Sequence, residues 1–364
     1  MTRASAAVLF GCTVFALAGG GCASKHAASP QSRTSGSFEP QSFTAISEND
    51  YWVLGTVRHE GRLRFSILRT TDGGRSFETI GAPQLPTEGT VPTLRFADRR
   101  DGFAFVLGFG GTFFATHDGG TTWQKLRLGT VLAFETARGN VYVVTARCSR
   151  PACSRYRLER SPAWSNAWRP QALPFTPDGS IVDLAAHGSH VWLLGTPRRN
   201  PQAQRAELVR STDGARTFVK GHGPCYPGLG GDLEPSSTSV VWAVCPTGML
   251  AGAWRSIDGG TTFVNLKTPP LVNSATLAPA SANTAVLARN GARTRLLRTT
   301  DGGRTWQPVQ MPPPPAYTLW VGFTDAEVGA AIVETAYQGA AKPQRQELWR
   351  TTDGGAHWHS VRLG

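Results

Sequence analysis

The sequence predicts an all-β fold, a seven-bladed β-propeller of four-stranded antiparallel blades, and three observations carry that prediction. A short pattern recurs at a period in the forties: Thr299-Thr300-Asp301-Gly302-Gly303-Arg304-Thr305-Trp306 and Thr116 to Trp123 are its best copies. Further copies run Thr70 to Phe77, Ser211 to Phe218, Ser256 to Phe263 and Thr351 to Trp358, with a decayed one at Ser161 to Trp168. The aspartate position falls at 72, 118, 163, 213, 258, 301 and 353, so the decayed copy sits where the period demands it and the count is seven. Repeats of this length built on strand-turn-strand chemistry stack radially, because one unit cannot bury its apolar face alone. Finally, no segment reads as a long amphipathic helix.

Each unit supplies four strands in order. In the second, Thr93 to Phe96 is the inner strand, Asp98 to Gly102 a turn, Phe103 to Leu107 the second strand, Thr112 to Ala115 the third and Thr122 to Leu126 the outer one. Second strands recur at Tyr51 to Val57, Val141 to Ala146, His190 to Thr196, Val240 to Cys245, Asn283 to Ala288 and Val328 to Glu334. Third strands such as Leu208 to Arg210, Leu296 to Arg298 and Leu348 to Arg350 lead straight into the repeated turn. Trp52, Trp192 and Trp242, near the starts of second strands, are expected between blades. An inner strand beginning near Gln41 and an outer strand ending near Arg362 predict a ring closed by packing alone, without strand exchange.

The pattern Ser/Thr-x-Asp-x-Gly-x-Thr/Ser-Trp/Phe resembles the Asp-box, or BNR, repeat of a propeller superfamily. Its residue types suit a tight hairpin: hydroxyl and carboxylate bond the turn's own backbone, and glycine takes the positive φ. Asp72, Asp118, Asp213, Asp258, Asp301 and Asp353 are therefore structural. In the third copy Ala163 stands at the aspartate's place, so that turn is expected to lose its acceptor and keep its Ser161 and Trp168 frame.

Residues 1–22 have the layout of a bacterial signal peptide: Arg3, an apolar run from Ala4 to Ala18, then Gly19-Gly20-Gly21-Cys22. They resemble a lipoprotein signal in which Cys22 is lipidated, with Gly19 where Leu is usual; Ala16-Leu17-Ala18 offers ordinary cleavage as the rival. Residues 23–38 read as a disordered tether and 39–364 as the propeller, exported either as a cell-envelope lipoprotein or as a secreted protein. Four cysteines remain, Cys148, Cys153, Cys225 and Cys245, an even number in an exported chain, which predicts disulfides over a zinc site. Three pairings are open; blade geometry favours Cys148 with Cys153 and Cys225 with Cys245.

The formal net charge is +12, and its distribution predicts more than its size. Loops joining second to third strands carry Arg58, Arg62, Arg64; Arg147, Arg150, Arg155, Arg157; Arg198, Arg199, Arg205; Arg289, Arg293, Arg295; and Lys342, Arg345, against Glu60 alone. Five of the seven blades contribute, so the end of the ring opposite the boxes is expected to be a basic rim. Arginine's planar fork suits carboxylate, sulfate or phosphate. The expected partner is an acidic protein, or an anionic glycan or lipid surface; nucleic acid is not expected, membrane contact is expected only through the anchor, and the chain is expected to be a monomer. No cofactor or metal is expected: His187 and His190 lie at a strand turn, without ligand spacing.

The second unit also resembles the exported propellers of the photosystem II stability and assembly factor group, through Phe96, Asp98, Gly102, Gly108, Thr116, Asp118, Gly119, Gly120, Thr122 and Trp123, with Phe103 where Trp is usual. That resemblance implies a non-catalytic assembly or scaffold protein that binds polypeptides through an arginine-rich face. Sialidases share the box more distantly. Their pattern implies an Arg-Ile-Pro motif and six blades, whereas this sequence has neither. A glycan-active hydrolase in the central cleft is the alternative reading, with Asp183, Asp232 and Glu234 as its available carboxylates. Anionic-glycan binding without turnover is the third.

Overall fold

The computed structural model describes residues 38–86, 91–108, 111–149, 152–175, 177–197, 205–290, 295–311, 315–335 and 345–363. The signal segment, nearly all of the tether and Cys22 lie outside them. Among the described residues every regular element is a strand, and the strands form seven antiparallel sheets arranged in chain order. Blade 1 has the pattern of all: an inner strand Glu39–Ala45, a second Tyr51–His59, a third Arg62–Thr70 and an outer Glu78–Gly81, each paired with the next. The expected strands are present to within one to three residues; the second strands of blades 3 and 4, for instance, are Asn140–Ser149 and His190–Pro197. One pairing was not expected: in blade 5, Leu271–Val272 adds to the tip of the third strand, pairing with Ala251 and Leu250.

Burial follows position in the blade. The second strand of blade 2, Gly102–Val106, is buried along its whole length, while outer strands such as Gln124–Leu126 are mostly exposed. A second strand has sheet neighbours on both edges and a blade against each face, so it reads as a continuous apolar run. The core is divided into seven clusters, one per seam between successive blades. Trp52, Trp192 and Trp242 are 0% exposed. Trp52 stacks on Phe96 of the next blade with centroids 4.0 Å apart, and Trp192 Nε1 donates to Gly259 O of the next blade at 2.8 Å.

Blade 7 ends on its own outer strand, His359–Val361, and blade 1 begins on its own inner strand, so among the described residues no strand is exchanged at the closure. The closing seam is made of side chains. Phe43, Tyr51, Val53 and Leu68 pack on Trp320, Ile332 and Leu348, and the Arg350 guanidinium lies 4.6 Å from the Tyr51 ring centroid while donating to Gly73 O at 3.3 Å.

Candidate functional site

Two ends of the ring are chemically different, and the chain path decides which residues each receives. Antiparallel blades put the first-to-second and third-to-fourth connections at one end, and the second-to-third hairpins and the links between blades at the other.

The repeated turns occupy the first end and close on themselves. In each of the six intact copies the leading hydroxyl donates to aspartate Oδ1, at 2.7 Å from Thr116 to Asp118 and 2.8 Å from Thr299 to Asp301. The same Asp301 oxygen accepts Arg304 N and Thr305 N, while its Oδ2 accepts the Thr305 hydroxyl at 2.7 Å. Hydrogen bonds to the ionised form favour it. The Asp118 carboxyl is accordingly held down to about 2, by the Thr122 hydroxyl first and then by Thr122 N and the Thr116 hydroxyl. Asp258 and Asp353 are lowered to about 2 as well, although burial works the other way, because the bonds from Thr262 and His357 outweigh it. The first glycine of the box donates to the neighbouring turn of its own blade, as Gly73 N does to Asn49 O at 3.1 Å.

In blade 3 the third strand runs one residue further, with Asn140 opposite Pro162. Ala163 N then donates to Gly139 O, so Ala163 makes the bond of a box's first glycine and does not stand in the aspartate's place. The frame persists: Ser161 Oγ donates to Ser165 O at 2.7 Å, and Trp168 packs edge-on against Phe113 of blade 2.

The second-to-third hairpins bring their arginines to the opposite end, while Arg75, Arg99, Arg100, Arg138, Arg216 and Arg304 lie in turns of the box end. Arg58, Arg62, Arg64, Arg147, Arg155, Arg205, Arg295 and Arg345 are exposed and Arg289 is half-buried. Arg150, Arg198, Arg199, Arg293 and Lys342 lie outside the described residues. The structure gathers part of this set: a cleft of about 530 Å³ at the seam of blades 2 and 3 is lined by Arg147 and Arg155 together with Arg157 and Arg127. The cleft's acid is Glu159, whose carboxyl is pushed up by burial against the opposing pull of Arg157.

Local backbone builds this cleft. The Cys148–Cys153 disulfide clamps directly opposed residues near the tip of the blade 3 hairpin, and the register shifts between Thr145 and Arg147. Arg155 takes a left-handed φ of 52°, unusual for a residue with a Cβ. Gly129 forms the other lip at φ 92°, where a Cβ would meet Ala146 O at 3.0 Å. Arg127 was missed in the sequence because it lies in the link between blades, not in a hairpin. Its signal was its place directly after an outer strand, which ends at the same face.

Both favoured disulfides are present, Cys148–Cys153 and Cys225–Cys245, the chemistry of an oxidising compartment. The carboxylates proposed for a hydrolase lie on inner strands. Asp183 Oδ2 accepts Leu233 N from the next blade at 2.8 Å, the same service that Ser42 Oγ performs for Leu94 N at 3.0 Å. Glu234 is buried on the inner strand Asp232–Pro235, which also carries Asp232. His187 and His190 are opposed across the strand pair, and burial lowers both from the usual imidazole range. Among the described residues no group of three or more His, Cys, Asp or Glu side chains is placed to hold a metal ion.

The fold and its turns define the chain as a seven-bladed β-propeller, closed without strand exchange among the described residues. Solved structures of low sequence identity share that fold. YCF48 from Cyanidioschyzon merolae is similar at a TM-score of 0.53 and 14% identity, over 87% of this chain and 96% of that one. YCF48 bound to a D1 peptide is similar at the same TM-score and identity, over 87% and 94%. The β-propeller domain of the Trilobed protease from Pyrococcus furiosus, described as having an open velcro topology, is similar at 0.59 and 9%, over 90% and 98%. The family described as Sortilin-Vps10 (sortilin, neurotensin receptor 3) matches residues 251–363, under half of the chain. No curated protein matches.

Proposed function

We propose that this chain is an exported, non-catalytic binding propeller that captures an acidic segment of a partner protein on its arginine-bearing face, as an assembly or scaffold factor. The observation that carries the reading is the cleft between blades 2 and 3, where Arg127, Arg147, Arg155 and Arg157 converge on a space of about 530 Å³ against Glu159. Guanidinium forks lining a concave site bind carboxylates through paired charge-assisted bonds. YCF48, which shares the fold, has been solved with a D1 peptide, and that supports a polypeptide as the ligand class. The signal-like residues 1–22 and the two disulfides support export, with Cys22 as the lipidated residue in the anchored form.

The test is a triple variant, Arg127→Glu, Arg147→Glu and Arg155→Glu, titrated against a glutamate-rich peptide by fluorescence anisotropy. The expected outcome is loss of at least roughly tenfold in affinity, with Tm unchanged within about 2 °C, and wild-type binding that weakens as salt rises because exposed charge pairs are screened. Unchanged affinity in the variant would reject the cleft as the site.

A further inference from the structure

The basic face has a gap at blade 5, and the gap is apolar. The second-to-third hairpin of that blade, Pro246-Thr247-Gly248-Met249-Leu250, has no charged residue. Met249 is 86% exposed and Leu250 55%. On the same face the link from blade 4 to blade 5 exposes Tyr226 and Leu229. The Cys225–Cys245 disulfide joins this link to the base of the hairpin and so brings the two segments together on one face.

These side chains stand on well-held backbone. Thr247 N donates to Leu250 O at 2.7 Å across the hairpin, Asn273 N donates to Met249 O at 3.1 Å, and the short strand Leu271–Val272 pairs along the hairpin's edge. On the link, Gly228 N donates to Thr196 Oγ1 at 2.6 Å, and Gly231 lies so close to the Cys225 sulfur that only glycine fits. A methionine kept in water by a hairpin pinned on two sides is a preorganised contact, since little order is left to be imposed on binding. Charge lies next to the link: Arg205 is held by donation to Pro224 O at 3.1 Å, with its guanidinium 5.3 Å from the Trp254 ring centroid.

We infer that Met249, Leu250, Tyr226 and Leu229 form a docking surface for apolar side chains of the acidic partner segment, with Arg205 taking a neighbouring carboxylate. The inference rests on the binding reading above and deepens it: the partner segment carries bulky apolar residues flanked by Asp or Glu. An unbroken acidic run satisfies the arginines and leaves this patch in water. An apolar anchor beside carboxylates covers both, and methionine surfaces adapt to varied apolar partners.

The test compares two short synthetic peptides, a glutamate-rich one with a central Leu-Phe pair and the same peptide with Ser-Ser there, by fluorescence anisotropy on the full chain. The wild type is expected to bind the Leu-Phe peptide at least roughly tenfold more tightly. Met249→Ser with Leu250→Ser is expected to erase that preference while leaving affinity for the Ser-Ser peptide unchanged, since both positions are solvent-exposed. Preference that survives in the double variant overturns the inference. So does equal affinity for the two peptides, which leaves the arginine reading standing. A preference that depends on Met249 in a protein that does not bind the Ser-Ser peptide supports the apolar dock and sinks the arginine cleft; no binding of either peptide sinks both. Sedimentation velocity closes the remaining route: a dimer dissociated by the double variant assigns the patch to a second copy of this chain and overturns the inference.

Discussion

One carboxylate closes each intact box turn by accepting several bonds, four of them at Asp301, and this sets both its ionisation and what its loss costs. Asp301 takes its bonds from the Thr299 hydroxyl, two backbone N–H groups and the Thr305 hydroxyl. Asp301→Ala strands those donors at the turn and is expected to lower Tm by roughly 2–4 °C, measured by circular dichroism. Asp301→Asn keeps an acceptor and is expected to recover part of the loss. The equivalent change at Ala163, to Asp, is expected to destabilise instead of repairing its turn. Ala163 is buried and stands at the first glycine's bond, so a carboxylate there enters the seam and not the turn.

Between elements, a second regularity links each blade to the next. The residue before the box is Arg69, Arg160, Arg210, Arg255, Arg298 or Arg350 in six blades, and Ala115 in blade 2. These arginines reach the following blade's turn: Arg160 Nη1 donates to Gly214 O at 2.8 Å, Arg298 Nε to Gly354 O at 2.7 Å and Arg350 Nη1 to Gly73 O. The exception faces the decayed box of blade 3, so arginine and docking turn are missing together. Phe103, Phe105 and Phe113 pack on Phe134 at that seam instead, and Asn166 Nδ2 donates to Gln124 Oε1 at 2.9 Å. Arg298→Ala is expected to cost about 1.5–3 kcal/mol in urea unfolding, the range for a hydrogen bond from a charged donor. Arg298→Lys is expected to recover little, because a single ammonium does not reproduce the planar fork.

For the whole ring, the box aspartates act as a shared acid switch. Their carboxyls are depressed in the folded state, to about 2 for Asp118, Asp258 and Asp353. Groups lowered on folding add stability that is complete above the unfolded value of about 4 and is lost as pH falls through the folded value. The urea midpoint is therefore expected to be level from pH 7 to about 5 and to fall steeply between about 4 and 2. Each contribution is small because the groups are largely exposed and screened; the steepness comes from six acting together. A midpoint that is flat to pH 2 would contradict this. Closure by packing alone makes the seam of blades 7 and 1 the place where the ring opens, so amides of Glu39–Ala45 are expected to exchange before those of the other inner strands. Arg350→Ala is expected to accelerate that exchange selectively.

What the sequence determined by itself was periodic: blade number, strand order, the turns and the closure, whereas it favoured one disulfide pairing of three and the structure decided it. Each rests on residues a few positions apart or on a spacing repeated seven times, and local chemistry writes such features into every copy. Which end each hairpin reaches was legible for the same reason, since hairpins alternate ends in an antiparallel blade; the basic face built on that placement is the proposal above. Tertiary structure decided what depends on two blades meeting. It brought Arg127, from a link between blades, to Arg147 and Arg155 from a hairpin; it made Asp183 a support for its neighbour's backbone; and it pinned Met249 in solvent beside a disulfide-tied link. Seams join residues distant in sequence and differ from blade to blade, so no repeat encodes them, and the candidate binding surfaces lie at seams.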